Sequence, residues 1–154
     1  MADAPTGRNS RLRLCLPIGH VPRGPIIFSV IQPTVLVCDD EAPLRQLVCA
    51  ALEDSDCSIV EASDGDQALA LAQRLHPDVI VLDMMMPGRS GLEVVTALRA
   101  DSSFVETPVV FLTARAQTTD RKAAAAAGAD HFLSKPFSVV ELASLVEKLL
   151  GGSQ

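Results

Sequence analysis

Short apolar runs alternate with stretches of helical periodicity over residues 34–150. Runs this short and this uniformly apolar are typical of strands that are buried on both faces. Because strand–helix–strand crossovers are right-handed, the alternation places helices on both faces of one parallel sheet. The pattern therefore predicts an open, doubly wound α/β fold of five parallel strands and five helices. The predicted strands are residues 35–38, 57–60, 79–82, 109–112 and 131–133, and the inner face of the first helix is Leu44, Leu47, Val48, Ala51 and Leu52.

The length of 154 residues and the mass of 16.3 kDa allow one ordinary domain. Residues 1–33 differ from the rest, since five Pro and three Gly interrupt them and they show neither a helical nor an alternating period. We interpret residues 1–33 as a poorly structured extension, residues 34–150 as the domain and residues 151–154 as a tail. The apolar stretch 26–31 could instead add an edge strand or cover an apolar patch.

Charge is distributed unevenly between these segments. Residues 1–33 carry four basic side chains and one acidic one, whereas residues 34–154 carry nine basic and eighteen acidic ones. Because an acidic surface repels the phosphate backbone, this balance predicts no direct binding of nucleic acid. No window is apolar for long enough to span a membrane, and no C-x-x-C pair is present for zinc or redox chemistry. Cysteines in apolar stretches indicate reduced thiols and a cytoplasmic location.

Polar side chains stand at the ends of four predicted strands. Asp39 and Asp40 follow the first strand, and Asp83 follows the third. Thr113 follows the fourth strand, and Lys135 lies two positions beyond the fifth. Each of these residues alone is more often a turn or cap residue. In an open α/β sheet, however, the carboxyl ends of the strands meet along one edge, which is where ligands bind.

Such a cluster favours phosphoryl chemistry. Three crowded carboxylates repel one another and need a cation, and a set of oxygen ligands without His or Cys suits Mg²⁺. A lysine and a hydroxyl facing the cation can bind the remaining oxygens of a phosphoryl group. One carboxylate would then act as the nucleophile, so the cluster predicts an aspartyl phosphate.

The segments V-L-V-C-D-D-E, V-L-D-M-M-M-P-G, F-L-T-A and S-K-P-F occur in this order. With this spacing, about residues 34–150 resemble the receiver domain of two-component response regulators. The resemblance implies the flavodoxin-like strand order 2-1-3-4-5. No output domain follows the last predicted helix, so we interpret the chain as a stand-alone, single-domain receiver. A receiver could begin at Val30, and we therefore expect residues 1–29 to lie outside the natural product.

The resemblance implies roles for the acidic residues. Asp83 would accept a phosphoryl group from a histidine kinase or a histidine phosphotransferase. Asp40 would bind Mg²⁺ directly together with Asp83, and Asp39 would act partly through water. The backbone carbonyl of Met85 would complete the protein ligands of the metal.

The resemblance also implies a switch. Lys135 would contact the phosphoryl group, Thr113 would move to hydrogen-bond it, and the peptide before Pro136 is expected to be cis. Phe132 occupies the aromatic position whose rotation reshapes the face made by the fourth helix, fifth strand and fifth helix, where a downstream protein would bind. An ordinary core phenylalanine explains Phe132 equally well. A homodimer that forms on phosphorylation is left open.

Two further positions tune the lifetime of the phosphoryl group in receivers, and here they are Met85 and Arg115. Met85 cannot hydrogen-bond an attacking water, so we predict slow autodephosphorylation. Apolar packing around a loop accounts for the triplet at residues 84–86 without any ligand role.

Two other readings of the cluster remain. A haloacid-dehalogenase-like phosphohydrolase needs an acid two residues after its nucleophile; Glu41 has that spacing from Asp39, but Met85 follows Asp83. A pseudo-receiver would share the fold without phosphorylation, although the matched acids, threonine and lysine are all present here. We therefore expect no enzymatic activity beyond self-phosphorylation and autodephosphorylation.

Overall fold

One five-stranded parallel sheet flanked by helices forms the domain, and the predicted doubly wound α/β fold is confirmed. The computed structural model describes residues 32–114 and 118–151. The strands are β1 (Thr34–Cys38), β2 (Ser58–Ala62), β3 (Val79–Asp83), β4 (Val109–Thr113) and β5 (His131–Ser134). The helices are α1 (Ala42–Ala51), α2 (Gly65–Leu75), α3 (Gly91–Arg99), α4 (Thr118–Ala127) and α5 (Val139–Gly151), with a short 3₁₀ turn at Ser102–Phe104. The strand order is β2-β1-β3-β4-β5, as the resemblance implied.

Pairing with β1 sets the bounds of β2, which begins one residue later and ends two residues later than predicted. Thr34 pairs with Ser58 at one end, and Cys38 pairs with Ala62 at the other. Glu61 therefore lies within the strand despite its charge. Backbone pairing continues for as long as the neighbouring strand does, whereas the apolar run that marked this strand in the sequence stops earlier.

The sheet separates two apolar cores. Side chains from α2, α3 and α4 pack on one face, and side chains from α1 and α5 pack on the other. Consecutive residues of β4 alternate between the two cores, with Phe111 in the first and Val110 and Leu112 in the second. Because both faces of the central strands are covered, these strands read as continuous apolar runs.

The predicted inner face of α1 is partly wrong. Val48 and Leu52 are fully buried, but Leu47 is 42% exposed. Arg45, which the apolar spacing left outside, is only 6% exposed. A long basic side chain can lie along apolar surface while its charged end reaches polar partners, which for Arg45 are the Asp39 carbonyl just after β1 and Glu61 in β2.

The start of α3 places this helix against the site edge of the sheet. Ser90 and Glu93 form the predicted capping box, with Ser90 N donating to Glu93 Oε2 at 2.9 Å and Glu93 N donating to Ser90 Oγ at 3.3 Å. A side chain on Gly91 would overlap the carbonyl oxygen of Asp83 and would lie 2.7 Å from the Phe111 ring. Glycine at this position therefore lets α3 approach the carboxyl end of β3.

Some of the predicted boundaries lie outside the described residues. Residues 1–31 are not described, so the extension, the option of an edge strand at 26–31 and the prediction for residues 1–29 stay predictions. At the other end α5 continues through Gly151, one residue beyond the predicted domain boundary. Across residues 32–114 and 118–151, no helix has the length and apolarity needed to cross a bilayer.

Candidate functional site

The candidate site lies at the carboxyl ends of β1, β3, β4 and β5. Asp39 directly follows β1, Asp83 ends β3, and Thr113 ends β4. Lys135 directly follows β5. Strand order reverses between β1 and β3, and the crevice outside that point is where doubly wound sheets bind ligands. The fold thus brings the sequence-predicted residues to one edge.

Three carboxylates form the centre of this site. One oxygen from each of Asp39, Asp40 and Asp83 lies within 4.8 Å of the others. Asp39 is fully buried and Asp83 is 5% exposed, whereas Asp40 is exposed. Charges packed this closely in a poorly hydrated position are stable only when cations offset their repulsion.

Lys135 supplies one such cation from the other side of the cluster. Its Nζ donates to Asp39 Oδ2 at 3.1 Å and forms an ion pair with Asp83 Oδ1 at 3.2 Å. Partial burial alone would lower the pKa of Lys135, but Asp83 and Asp39 outweigh burial and raise it. The lysine is therefore held fully charged between the two buried carboxylates.

The environment of Asp83 differs from that of an ordinary surface carboxylate. Burial and, next, the charge of Asp39 raise the pKa of Asp83, while Lys135 and the amide of Met85 act in the opposite direction. Met85 N donates to Asp83 Oδ1 at 3.4 Å. A carboxylate whose charge is under-compensated attracts further positive charge, which favours a bound cation beside it.

The remaining predicted residues surround this centre. Thr113 is 4% exposed and pairs in register with Ser134, and its carbonyl accepts from Lys135 N at 2.7 Å. Phe132 is half-buried, and its ring stacks on Phe111 at a centroid distance of 6.3 Å. The Lys135–Pro136 peptide is cis. Met85 is 76% exposed, and Arg115 lies outside the described residues.

Sequence comparison with protein families gives a match to the response regulator receiver domain over residues 35–147. This chain belongs to the response regulator receiver family. The match includes all five strands except the first residue of β1. The recognition made from the four sequence motifs is thereby confirmed.

Curated relatives of this receiver are named as regulators of transcription. The phosphate regulon transcriptional regulatory protein PhoB of Escherichia coli (strain K12) is 40% identical over 116 residues, which cover 75% of this chain and 51% of PhoB. The probable transcriptional regulatory protein TcrX of Mycobacterium tuberculosis is 44% identical over 120 residues, 77% of this chain and 50% of TcrX. The receiver chain thus spans about half the length of the curated relatives it matches.

Solved structures are also similar to this domain, and the similarity extends over nearly the whole of each solved chain. The chemotaxis protein CheY4 of Vibrio cholerae is 34% identical with a TM-score of 0.73, covering 77% of this chain and 99% of that one. The receiver domain of the Francisella response regulator 1452 is also 34% identical, with a TM-score of 0.74 and coverages of 79% and 99%.

The prediction that nucleic acid is excluded as a partner is wrong. Among the relatives is the DNA-binding response regulator MtrA of Mycobacterium bovis, 38% identical over 123 residues that cover 80% of this chain and 53% of MtrA. The charge argument fails because net charge describes only the surface that carries it. The negative charge of a receiver therefore gives no information about whether a different region of a protein binds DNA.

The chemistry of the donor set fits Mg²⁺, which receivers bind at an acidic pocket. The three carboxylates offer oxygens within 4.8 Å of one another, and no nitrogen or sulfur ligand joins them in the described cluster. Hard oxygen ligands and an exposed carboxylate open to water suit a cation that retains several waters. Asp40 would hold it on the exposed side and Asp83 on the buried side, next to the backbone of Met85.

Sequence reasoning missed the burial of Arg45 behind the acidic cluster, whereas it predicted the reduced, buried thiol of Cys38. Arg45 lies three residues before Val48, so helical spacing could have placed it on the buried face of α1. The thiol of Cys38 is fully buried and lies 3.3 Å from the carbonyl oxygen of Asp64 and 3.2 Å from the Met86 sulfur. Burial first, and then neighbouring carboxylates including Asp39, raise the pKa of this thiol. Cys38 is therefore a neutral thiol directly beneath the site.

Proposed function

We propose that this receiver accepts a phosphoryl group on Asp83 from the phosphohistidine of a histidine kinase. The observation that carries the proposal is the contact of Lys135 Nζ with both Asp39 and Asp83 beside a third carboxylate. The P–N bond to the kinase imidazole breaks as a P–O bond to an Asp83 oxygen forms. A magnesium ion bound by the three carboxylates would offset the negative charge of the phosphoryl oxygens.

The residues of this chain support such a transfer in separate ways. Lys135 is charged and close enough to Asp83 to bind a phosphoryl oxygen once the group is attached. Thr113 lies at the end of the neighbouring strand, within the same edge. Since a new dianionic group would compete for Lys135 and Thr113, phosphorylation would bias the packing of β4, β5 and the ring of Phe132, and thereby the face made by α4, β5 and α5.

The phosphohydrolase alternative is less consistent with these contacts. Its nucleophile would be Asp39, because Glu41 lies two residues further on. Asp39 is fully buried, with Oδ1 accepting from Glu41 N at 2.9 Å and Oδ2 accepting from Lys135. Both oxygens of the would-be nucleophile are engaged, which favours Asp83 as the acceptor.

Phosphoryl acceptance can be tested with acetyl phosphate and Mg²⁺ on the full chain. Intact-mass spectrometry should show the addition of one phosphoryl group, and the Asp83→Asn variant should show none. Beryllofluoride with Mg²⁺ should shift backbone amide signals of α4 and β5 in the unmutated protein and leave Asp83→Asn unchanged. The absence of labelling and of shifts in the unmutated protein would instead indicate a pseudo-receiver, and turnover of a generic phosphomonoester would indicate the hydrolase.

The output that we propose is control of transcription, as the names of PhoB and MtrA suggest for those proteins. Chromatin immunoprecipitation of the native, full-length product should recover specific DNA, and more of it from cells with an intact Asp83 than from Asp83→Asn cells. Equal recovery from both strains, or no recovery, would contradict this output.

A further inference from the structure

The backbone at the end of β1 is held from several directions, and its most buried contact comes from α1. Asp39 N donates to Ala62 O at 3.2 Å, which continues the pairing of β1 with β2. The carbonyl oxygen of Asp39 accepts from Arg45 Nη1 at 2.6 Å. This carbonyl belongs to the peptide that joins Asp39 to Asp40, so the hydrogen bond from Arg45 restrains the orientation of the peptide plane that leads into Asp40.

A second residue pairs with the guanidinium of Arg45. Arg45 Nε lies 3.4 Å from Glu61 Oε1 in β2 as an ion pair without a hydrogen bond, and the two side chains are 8% and 15% exposed. An ion pair buried to this extent costs desolvation energy and adds little to stability. Stability therefore does not explain why Arg45 and Glu61 are buried, whereas their position directly behind the acidic cluster suggests a role in that site.

We propose that Arg45 is a positioning residue of the phosphorylation site: through its buried hydrogen bond to the Asp39 carbonyl, it fixes the Asp39–Asp40 peptide so that the Asp40 carboxylate faces Asp83. The proposal rests on the proposed function, since it concerns the metal ligands of that site. Arg45 does not touch the metal or the phosphoryl group, because its contacts are to the backbone of Asp39 and to Glu61. Groups behind metal ligands change metal affinity about 10–100-fold when removed.

The direction of the effect separates positioning from simple electrostatics. Removing a cation near three carboxylates would, by charge alone, strengthen the binding of Mg²⁺. If Arg45 positions Asp40, Arg45→Met weakens it instead, by about tenfold. Arg45→Lys should restore part of the affinity, because its ammonium can still donate to the Asp39 carbonyl but lacks the second nitrogen that lies near Glu61.

The experiment titrates the full chain with Mg²⁺ and follows binding by calorimetry and by the carbonyl ¹³C shift of Asp39, which reports the hydrogen bond from Arg45. Arg99→Met is the matched control, since Arg99 also binds backbone carbonyls, at Gly128, Phe104 and Val105, but lies away from the acidic cluster. We expect this control to lose folding stability and to keep the Mg²⁺ affinity of the unmutated protein.

Unchanged or tighter Mg²⁺ binding in Arg45→Met, or an equal loss in Arg99→Met, would overturn the positioning role while leaving the proposed function intact. Failure of the unmutated protein to bind Mg²⁺ would instead overturn the proposed function together with this inference. Glu61→Gln provides a milder variant that keeps the size of the side chain. It should weaken Mg²⁺ binding in the same direction as Arg45→Met and by a smaller factor.

Discussion

Helices α3 and α4 pack on the same face of the sheet, yet they are attached to it very differently. Helix α3 buries Val94, Val95 and Leu98 in the core that it shares with α2. Among the described side chains of α4, residues 121–127, only Ala124 is fully buried. Burying one large apolar side chain contributes about 1.5–3 kcal/mol, and a single methyl contributes much less. The comparison shows where the fold is rigid and where a small change in energy can move it.

The carboxyl end of α4 is nevertheless fixed. Arg99 at the end of α3 donates from Nε to Gly128 O at 3.0 Å and from Nη2 to Asp130 Oδ2 at 2.9 Å. The same carboxylate oxygen of Asp130 accepts from Val109 N at 2.9 Å in β4. Nearer its amino end, the described side chains of α4 make only a long, exposed hydrogen bond, from Arg121 Nη2 to Ser134 Oγ at 3.5 Å. We therefore expect motion at the end of α4 nearer the acidic cluster.

The largest difference should appear when each helix loses its main buried side chain. Leu98→Ala in α3 should lower the free energy of unfolding by about 2–5 kcal/mol, because it leaves a cavity in the core. Ala124→Gly in α4 should cost about 1–2 kcal/mol, from helix propensity and one lost methyl. Urea unfolding followed by far-ultraviolet circular dichroism measures both, since the chain has no Trp or Tyr. Equal costs would contradict the comparison.

A smaller effect is expected at the anchor. Gly128 has φ +109, and a Cβ there would lie 2.7 Å from Arg99 Cγ. Gly128→Ala should therefore cost about 1–3 kcal/mol of unfolding free energy and speed hydrogen exchange along α4 more than along α3. Gly151→Ala is the control, because nothing lies within 4 Å of a Cβ at that position. Equal stability of the two variants would show that the anchor does not hold α4.

The acidic site at the carboxyl ends of the strands should oppose stability at neutral pH. Because the pKa of Asp83 is raised, the folded protein binds more protons than the unfolded chain between the ordinary aspartate pKa and the raised one. The free energy of unfolding therefore falls as pH rises through that window. Asp83→Asn removes this penalty, while Lys135 keeps its contact with Asp39.

Melting temperatures measured at a series of pH values test this sign. Asp83→Asn should melt higher than the unmutated protein at pH 7, and the difference should shrink as the pH approaches about 4, the ordinary value for aspartate. Mg²⁺ should reduce the difference by stabilising only the unmutated protein. A lower melting temperature for Asp83→Asn at pH 7 would contradict the direction of the Asp83 shift.

The smallest expected effect is a shift in population rather than in overall stability. Beryllofluoride and Mg²⁺ should change hydrogen exchange in α4 and leave α3 unchanged, since only α4 is weakly held. Asp83→Asn serves as the control that cannot respond. Changes of equal size in both helices would mean that the two helices move as one unit.

The fold could be predicted because its strands are buried on both faces. That burial produces short runs of large apolar residues, such as Val109 to Leu112 in β4. The site could be predicted because its residues lie at the strand ends, where the sheet itself brings Asp39 and Asp83 together. Neither prediction needed knowledge of side-chain contacts.

What the sequence could not show depends on those contacts. Counting apolar residues placed Leu47 on the buried face of α1 and left out Arg45. Hydrophobic periodicity does not detect a charged side chain that is buried because it contacts a backbone carbonyl and an acidic side chain. Polarity also hid the last residues of β2, including Glu61, since pairing rather than composition ends that strand. The error about nucleic acid had the same origin, because a sum of charges carries no information about position.

The buried thiol of Cys38 makes the acidic edge of the sheet directly observable. A neutral, inaccessible thiol reacts with an alkylating reagent only when the end of β1 opens. The rate of labelling therefore measures how often that end opens. Saturating Mg²⁺ should lower the labelling rate if the cation links β1 to β3 by binding both Asp40 and Asp83. Although the chain has no Trp or Tyr, it thus carries its own reporter close to the residue that would be phosphorylated.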